Sequence, residues 1–163
     1  MASIDVIIET PKGSAQKYDF DPDEQLFRLK KILPSGMVFP YDFGFIPKTK
    51  GEDGDPLDVI VISEFQSVPG IIVKCRVLGG ICAEQSKGRK GSKMIRNDRF
   101  LAVPKCSSIF GKFRSIEDIP ENIFEELEAF FKDYNRLEGK KFKAVKKVDV
   151  DKAVSLISKG KTG

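Results

Sequence analysis

The sequence contains no histidine, and its 163 residues include only three cysteines. Without histidine there is no Ser-His-Asp or Cys-His catalytic group, no histidine-ligated zinc site and no imidazole acid or base. Cys75, Cys82 and Cys106 are an odd number without CxxC spacing, which favours reduced thiols that pack inside a cytoplasmic protein. Catalysis would therefore have to use carboxylates, Lys, Arg, Tyr or a bound metal.

Long apolar runs and an N-terminal signal are missing as well. No run approaches the roughly 18 apolar residues of a membrane span, and no basic region followed by an apolar stretch opens the chain. The chain is 40% apolar and has 13 Phe, enough to bury a substantial core. Residues 1–163 are therefore expected to form one soluble, cytoplasmic domain without a membrane partner.

Residues 51–58 read GEDGDPLD and place four carboxylates between glycines and a proline, directly before the apolar run VIVI. Crowded carboxylates raise one another's pKa unless cations lie among them, and oxygen ligands suit Mg²⁺, Mn²⁺ or Ca²⁺. A solvated acidic turn is the alternative, because Asp, Gly and Pro are ordinary turn residues. An EF-hand is excluded, since Gly54 and Pro56 stand second and fourth from Asp53.

The net charge of +4, from 28 basic and 24 acidic residues, coexists with this acidic stretch. Basic groups around a carboxylate and metal centre are what a polyanionic substrate requires. The polar insert at residues 86–95 is rich in Gly, Ser, Lys and Arg. It is predicted to be a mobile surface loop, with attraction of phosphate as the alternative.

Short β-branched runs occur at residues 59–63, 71–78, 80–84 and 100–104, separated by Pro-Gly, Gly-Gly and the polar insert. This spacing predicts a closed or nearly closed β-barrel. Residues 4–9 and 16–21 are predicted to pair as a hairpin, and residues 26–33 to form a further strand.

Helical periodicity is confined to the C-terminal half. Apolar residues recur at i+3 and i+4 until Gly139, with Asp118 as the predicted cap: Ile123, Leu127, Phe130, Phe131, Tyr134 and Leu137. A shorter amphipathic helix is predicted at residues 150–158. The expected fold class is thus mainly β with two flanking helices (α+β), and Tyr134 has a polar tip that could face a site.

Residues 53–59, DGDPLDV, resemble the D-G-D-P-x-D-[VI] signature of the soluble family I inorganic pyrophosphatases, or inorganic diphosphatases. FPYDFGFI at residues 39–46 resembles that family's Y-P-x-N-Y-G-[FY]-I segment, and FFKDY at 130–134 with LE at 137–138 resembles its F-F-x-x-Y-K-x-L-E helix. VIIE at 6–9, followed by Lys17, resembles its opening hairpin. The resemblance spans nearly the whole chain. It implies a five-stranded barrel of the OB type, several Mg²⁺ ions per site with Mn²⁺ as an alternative, hydrolysis of pyrophosphate to two phosphates, and a homo-oligomer.

The resemblance also implies roles for individual residues. Asp53, Asp55 and Asp58 would ligate metal, Asp55 would also take the proton of a metal-activated water, and Glu9 would act from behind the ligands. The phosphate oxygens would be held by five further side chains: Lys17, Lys31, Arg99, Tyr134 and Lys141.

This sequence departs from the family pattern at several of these positions. Lys31 and Arg99 exchange the family's Arg and Lys, while Phe43, Asp42 and Asn135 replace Tyr, Asn and Lys. The family's D-x-K strand appears as Asn97-Asp98-Arg99, so strict register would give a metal-ligand position to Asn97. We expect instead that a bulge turns Asp98 toward Asp53 and Asp58. Glu84 is the candidate for a partner acidic ligand earlier on that sheet.

Two other functions are compatible with the sequence. The family fold could carry reduced or altered phosphoanhydride activity because of these departures. An OB-type barrel could instead bind single-stranded nucleic acid through the basic insert at residues 87–93. The acidic stretch disfavours nucleic acid as a partner, because it would repel a phosphate backbone.

Overall fold

The computed structural model describes residues 2–86 and 93–163, so most of the predicted loop at residues 86–95 lies outside the described residues. Within them, the strands are β1 (Ser3–Thr10), β2 (Gln16–Asp21), β3 (Leu26–Ile32), β4 (Asp42–Phe45), β5 (Asp58–Val61), β6 (Ile72–Ser86), β7 (Met94–Arg96), β8 (Arg99–Pro104) and β9 (Phe142–Val148). The helices are α1 (Glu121–Leu137) and α2 (Val150–Gly160), and a 3-10 turn spans Ile116–Asp118.

Five strands close into a ring in the order β1, β4, β5, β8, β6, with β6 returning to β1. β5 and β8 are parallel, and the other four pairings are antiparallel. The 15-residue β6 closes the ring because it reaches β1 and β8 and still extends far enough to pair with β7 and β9. The predicted five-stranded barrel with two helices is confirmed.

The β5 strand is apolar on both faces because each helix covers a different side. Ile60 and Ile62 belong to one apolar cluster with α1 residues such as Leu127. Val59 and Val61 point the opposite way, into a second cluster that includes Ile157 of α2. The continuous apolar run after the acidic stretch therefore reflects a strand buried on both sides.

The predicted hairpin between residues 4–9 and 16–21 is wrong. β2 pairs with β3 in a separate two-stranded sheet. Side chains link β1 to β2 instead: the Thr10 hydroxyl donates to the Tyr18 carbonyl at 3.0 Å, and Glu9 Oε2 accepts the Phe20 N–H at 2.8 Å. The β2–β3 hairpin is thus held against the barrel beside Glu9.

Asp118 does not cap α1. Its Oδ2 accepts the Arg114 and Ser115 N–H groups and closes the 3-10 turn, while the N-cap position of α1 is Pro120. Among the described residues, no helix has the length and apolar character needed to cross a membrane.

Candidate active site

A cavity of about 360 Å³ opens between the barrel, the β2–β3 hairpin and α1. Aromatic side chains including Phe39, Phe43 and Phe130 form its apolar part. Its charged lining combines six carboxylates with four cations: Glu9, Asp19, Asp53, Asp55, Asp58 and Glu138, with Lys17, Lys30, Arg99 and Lys140. The cavity therefore brings acidic and basic groups together, as the charge pattern of the sequence predicted.

The acidic loop (residues 51–58) is shaped by its own backbone. The Gly51 N–H donates to the Asp55 carbonyl at 2.8 Å, and the Asp55 N–H donates to Asp53 Oδ1 at 3.0 Å. Gly54 has φ of 89°, a left-handed conformation that glycine adopts without penalty. This turn and the following start of β5 place Asp53, Asp55 and Asp58 on the wall of one cavity.

The carboxylates of this wall carry incompletely balanced charge. Burial raises the pKa of Asp58 to about 6, although nearby Arg99 opposes the shift. Burial also raises the pKa of Asp53, and it raises the pKa of Glu9 to about 7 against the Phe20 hydrogen bond. In the described part of the chain, none of these three forms a salt bridge. A cation entering the cavity would relieve this cost.

The donor chemistry fits a hard divalent cation, because Asp53, Asp55 and Asp58 offer carboxylate oxygens on one wall. Over residues 2–86 and 93–163, however, no three Asp, Glu or Cys side chains already form a metal-binding group. Asp55 is exposed on the turn and Asp58 is partly buried. The donors are therefore suitable in kind but would have to converge on an ion.

Tyr134 of α1 is surrounded by the predicted phosphate-binding lysines. Lys31 Nζ lies 4.4 Å from the Tyr134 ring centroid, and Lys17 Nζ lies 5.5 Å from it. Lys31 Nζ also pairs with Glu138 Oε1 at 2.6 Å, which keeps Lys31 just behind the cavity lining. The Tyr134 hydroxyl has no hydrogen-bond partner within the described ranges, and burial raises its pKa. It is a neutral hydroxyl that is buried without a partner among the residues that the structure describes.

Arg99 is the most enclosed cation of the cavity, at 8% exposure. Its guanidinium carbon lies 4.1 Å from the Phe131 ring centroid and 5.3 Å from that of Phe142. Its Nη2 donates to Gln85 Oε1 at 2.8 Å, and its Nη1 donates to the Asn97 carbonyl at 3.2 Å. Burial lowers the pKa of Arg99, and nearby Asp58 and Asp53 oppose that shift.

The predicted orientation of Asp98 is wrong. Asp98 accepts from Arg96 Nε at 3.0 Å, and it is Asn97 that lines the cavity. β6 pairs with β7 and β8 in one continuous register, Glu84 with Arg96 and Ile81 with Arg99, so no inserted residue turns Asp98 inward. Asn97 and Asp98 lie between β7 and β8, and a neutral amide lines the cavity where the family pattern has Asp.

Two more predicted site residues miss the cavity by one position. Glu84 lies opposite Arg96 and Lys143 in the sheet, and its neighbour Gln85 lines the cavity. Lys141 is exposed, with its backbone N–H donating to Ser86 Oγ at 2.9 Å, and Lys140 lines the cavity instead. Because side chains alternate along β6, a one-residue error in alignment reverses the side on which Glu84 lies.

The structure thus assembles Glu9, Lys17, the three loop aspartates, Arg99 and Tyr134 around one cavity, with Lys31 adjacent. Sequence reasoning missed Gln85 and Lys140. It identified Asn97 by counting two residues back from Arg99, but we chose Asp98 in its place. The sequence offered no comparable signal for Gln85, because an insert separates it from β8.

We expect Asn97→Ala to reduce catalytic activity more than Asp98→Ala. Asn97 lines the cavity, whereas the Asp98 carboxylate lies outside it and accepts a hydrogen bond from Arg96. The loss for Asn97→Ala should be about 10- to 100-fold, the range for residues that support a metal site, and that for Asp98→Ala only a few-fold. Steady-state rates at saturating divalent cation would test this, and a larger loss for Asp98→Ala would contradict the placement.

Glu9 predicts a pH-dependent stability of the metal-free protein. The folded-state pKa of Glu9 is raised from 4.5 to about 7. Its contribution to the free energy of unfolding is therefore fully present below about pH 4.5 and is lost as pH rises through about 7. Glu9→Gln should therefore be more stable than wild type at about pH 8, by roughly 3 kcal/mol, and equal to it at about pH 4.5. Urea unfolding in chelator would measure both.

Glu64→Gln is the control for this pH series. Hydrogen bonding by Ser107 and by backbone N–H groups lowers the pKa of Glu64 to about 2. Its contribution is present above about pH 4.5 and is lost only as pH falls through about 2. The difference in free energy of unfolding between Glu64→Gln and wild type should therefore stay constant from about pH 5 to 8. Parallel pH curves for wild type and Glu9→Gln would contradict the assignment of Glu9.

The fold and the cavity together define a β-barrel protein with a charge-rich cleft of the kind that enzymes use. A family model described as inorganic pyrophosphatase matches residues 6–162. The chain is 38% identical over 143 residues to the inorganic pyrophosphatase of Thermus thermophilus, covering 88% of this chain and 78% of that protein. It is 36% identical over 154 residues to that of Synechocystis sp., covering 94% and 87%.

A solved structure agrees with these sequence matches. The crystal structure of inorganic pyrophosphatase from Thermus thermophilus is similar with a TM-score of 0.85 at 33% identity, covering 96% of this chain and 87% of that chain. The chain belongs to the inorganic pyrophosphatase family. The family predicted from the DGDPLDV stretch is confirmed.

Proposed function

We propose that this protein hydrolyses pyrophosphate to two phosphates with divalent cations held by Asp53, Asp55 and Asp58. Its family makes it a hydrolase acting on phosphoanhydride bonds, as predicted. The observation that carries the proposal is the cavity that brings these aspartates together with Lys17, Lys30 and Arg99. Carboxylates to hold cations and basic groups to hold phosphate are what the reaction requires.

The residues divide the work according to their positions. When bound, divalent cations would neutralise the phosphate oxygens and lower the pKa of water. Asp55, the most exposed of the three loop aspartates, would accept the proton that the attacking water loses. Glu9, behind them, would take part in that proton's removal, since its pKa is about 7.

The phosphate groups would be held at the opposite side of the cavity. Lys17 and Tyr134 line it there, and Lys31 would contribute its charge from behind Tyr134. Lys140, rather than the predicted Lys141, supplies the cation after α1. Arg99 would bind phosphate only through the part of its guanidinium that Gln85 and Asn97 leave free.

The direct test is phosphate release from pyrophosphate in Mg²⁺, in Mn²⁺ and in excess chelator. We expect turnover with Mg²⁺, turnover with Mn²⁺ in its place, and none in chelator. A phosphomonoester serves as the control substrate and should not be cleaved at a comparable rate. Turnover that persists in chelator would contradict the metal-dependent mechanism, and absence of turnover in every metal would refute the function.

A second candidate keeps the fold but has altered phosphoanhydride activity. It is favoured by the neutral Gln85 and Asn97 on the cavity wall, which reduce the charge available to hold cations. Parallel assays with tripolyphosphate and a nucleoside triphosphate would separate the two candidates. Faster cleavage of either than of pyrophosphate would support the second.

We also propose that the protein acts as a homo-oligomer in the cytoplasm, as the family resemblance led us to expect. Exposed apolar side chains on β3, before β6 and at the start of β6, such as Leu29, Ile32, Val68 and Ile72, offer surface for self-association. Light scattering at micromolar concentration would test this, and a strict monomer would contradict it.

A further inference from the structure

Arg99 is fixed in place to an unusual degree for a cation at a substrate cavity. The rings of Phe131 and Phe142 lie against its guanidinium, and Gln85 Oε1 and the Asn97 carbonyl each accept one of its N–H groups. Stacking on aromatic rings and two hydrogen bonds hold a planar guanidinium in one orientation, which a flexible ammonium would not match.

The charge of Arg99 is not cancelled where it is held. Both of its hydrogen-bond acceptors are neutral, and within residues 2–86 and 93–163 no carboxylate oxygen lies within ion-pair distance of it. The carboxylates that influence it most are Asp58, paired with it in register across β5 and β8, and Asp53 of the acidic loop. The fixed charge therefore acts through space on two of the proposed metal ligands.

We propose that Arg99 is a built-in cation of the metal site, supplying charge that would otherwise come from a divalent ion and thereby limiting how tightly Asp53 and Asp58 bind free metal. The proposal rests on the proposed function, since it assumes that these aspartates hold divalent cations. In the metal-free protein, the positive charge of the guanidinium stabilises the ionised forms of these two partly buried carboxylates. Once metal arrives, it repels the ion, so that uptake depends more on the phosphate groups of the substrate.

The neutral side chains beside Arg99 fit this role. A carboxylate at Gln85 would neutralise the guanidinium directly, and one at Asn97 would add an acidic ligand beside Asp53. Amides at both positions leave the positive charge free to act on the loop aspartates. Arg99 thus holds a fixed positive charge that acts on Asp53 and Asp58, in addition to any contact it makes with phosphate.

The test measures Mn²⁺ binding to the metal-free protein by electron paramagnetic resonance, without pyrophosphate. Arg99→Met removes the charge while keeping a straight apolar side chain against Phe131 and Phe142. Because removal of one charge at short range is worth at least a factor of about ten in affinity, Arg99→Met should bind Mn²⁺ about tenfold more tightly or take up an additional ion. Arg99→Gln, with a polar side chain, should change affinity in the same direction and provides a second variant if Arg99→Met does not fold.

Two controls separate charge from packing. Arg99→Lys keeps the charge and should bind Mn²⁺ within about threefold of wild type. Arg76→Met makes the same substitution at an arginine outside the cavity, one that donates to the Phe113 carbonyl at 3.1 Å, and should leave Mn²⁺ affinity unchanged. Circular dichroism and thermal unfolding establish that each variant is folded.

Each outcome decides the question. Unchanged or weaker Mn²⁺ binding by folded Arg99→Met and Arg99→Gln would overturn the proposal, because Arg99 would then not oppose the metal. Equal tightening by Arg99→Lys would overturn it too, since the effect would be one of packing. If wild type and all variants fail to bind Mn²⁺ at millimolar concentration, the metal site of the proposed function is itself refuted, whereas tightening confined to the uncharged Arg99 variants supports the inference.

Discussion

Asp58→Asn is expected to reduce pyrophosphate hydrolysis by about 10²- to 10³-fold, the loss typical of removing one charged group from a preorganised site. Asp58 is the first residue of β5, lines the cavity and is paired in register with Arg99. The amide keeps the shape of the side chain but removes the negative charge that would hold a cation. Steady-state rates across a Mg²⁺ titration would measure the loss, which excess Mg²⁺ should only partly restore.

The same substitution should leave the metal-free fold intact. Burial raises the pKa of Asp58 to about 6, so at neutral pH the folded protein carries this ionised group at a cost that Asn does not incur. Urea unfolding in chelator at pH 7 should therefore show equal or greater stability than wild type. An unfolded Asp58→Asn protein would show that the acidic loop is structural.

Asp5→Asn is the matched control. Asp5 lies on β1 and its Oδ1 pairs with Lys74 Nζ at 2.6 Å, with both side chains largely exposed. Surface ion pairs contribute little, so activity should stay within about twofold of wild type. A comparable loss in Asp5→Asn would mean that general electrostatics, rather than the position of Asp58, determines the rate.

The acidic loop was predictable because its chemistry is local. Gly54 and Pro56 define a turn, and the carboxylates beside them repel one another wherever the turn lies. The apolar run that follows indicates a buried strand, so Asp58 had to stand at the edge between polar loop and core. The barrel was predictable for a similar reason, since the spacing of short strands limits how they can close.

The opposite wall of the cavity could not be predicted, because its register depends on long-range pairing. β7 has three residues, and its alignment is set by hydrogen bonds to the far end of β6. The polar insert between them removes the information that would tell Gln85 from Glu84. The choice between Asn97 and Asp98 was decided by the continuous register of β6 with β7 and β8, against our expectation that charge demand would produce a bulge.

The first hairpin failed for a physical reason that bears on the site. β1 pairs with both β4 and β6 to close the ring. Its backbone N–H and carbonyl groups are therefore already hydrogen-bonded and cannot pair with β2. The Glu9 and Thr10 side chains take over that contact by bonding to the β2 backbone. The alternation of apolar and polar residues identified β1 and β2 correctly as strands, but it contained no information about which strands they would pair with.

Gly44→Ala is expected to destabilise the protein by at least about 3 kcal/mol, the upper part of the range for overpacked sites. Gly44 lies in β4, where it pairs with Ile8 of β1 and Val59 of β5. A Cβ atom there would overlap the Ile7 carbonyl oxygen and lie 2.9 Å from Val6 Cγ1. Because the obstacle is backbone of the closed barrel, it cannot be relieved by a change of rotamer.

Gly36→Ala separates this packing effect from the loss of glycine's conformational freedom. Gly36 has φ of 84°, and a Cβ there would meet nothing within 4 Å, so the cost should be only the left-handed strain of about 1–2 kcal/mol. Urea unfolding of both variants would compare them under one condition. Gly44 also lines the cavity, so Gly44→Ala should lose activity as the β1–β4 pairing opens beside Glu9. Equal costs for the two variants would show that β4 can move away from β1, and that the barrel wall behind the acidic loop is not rigid.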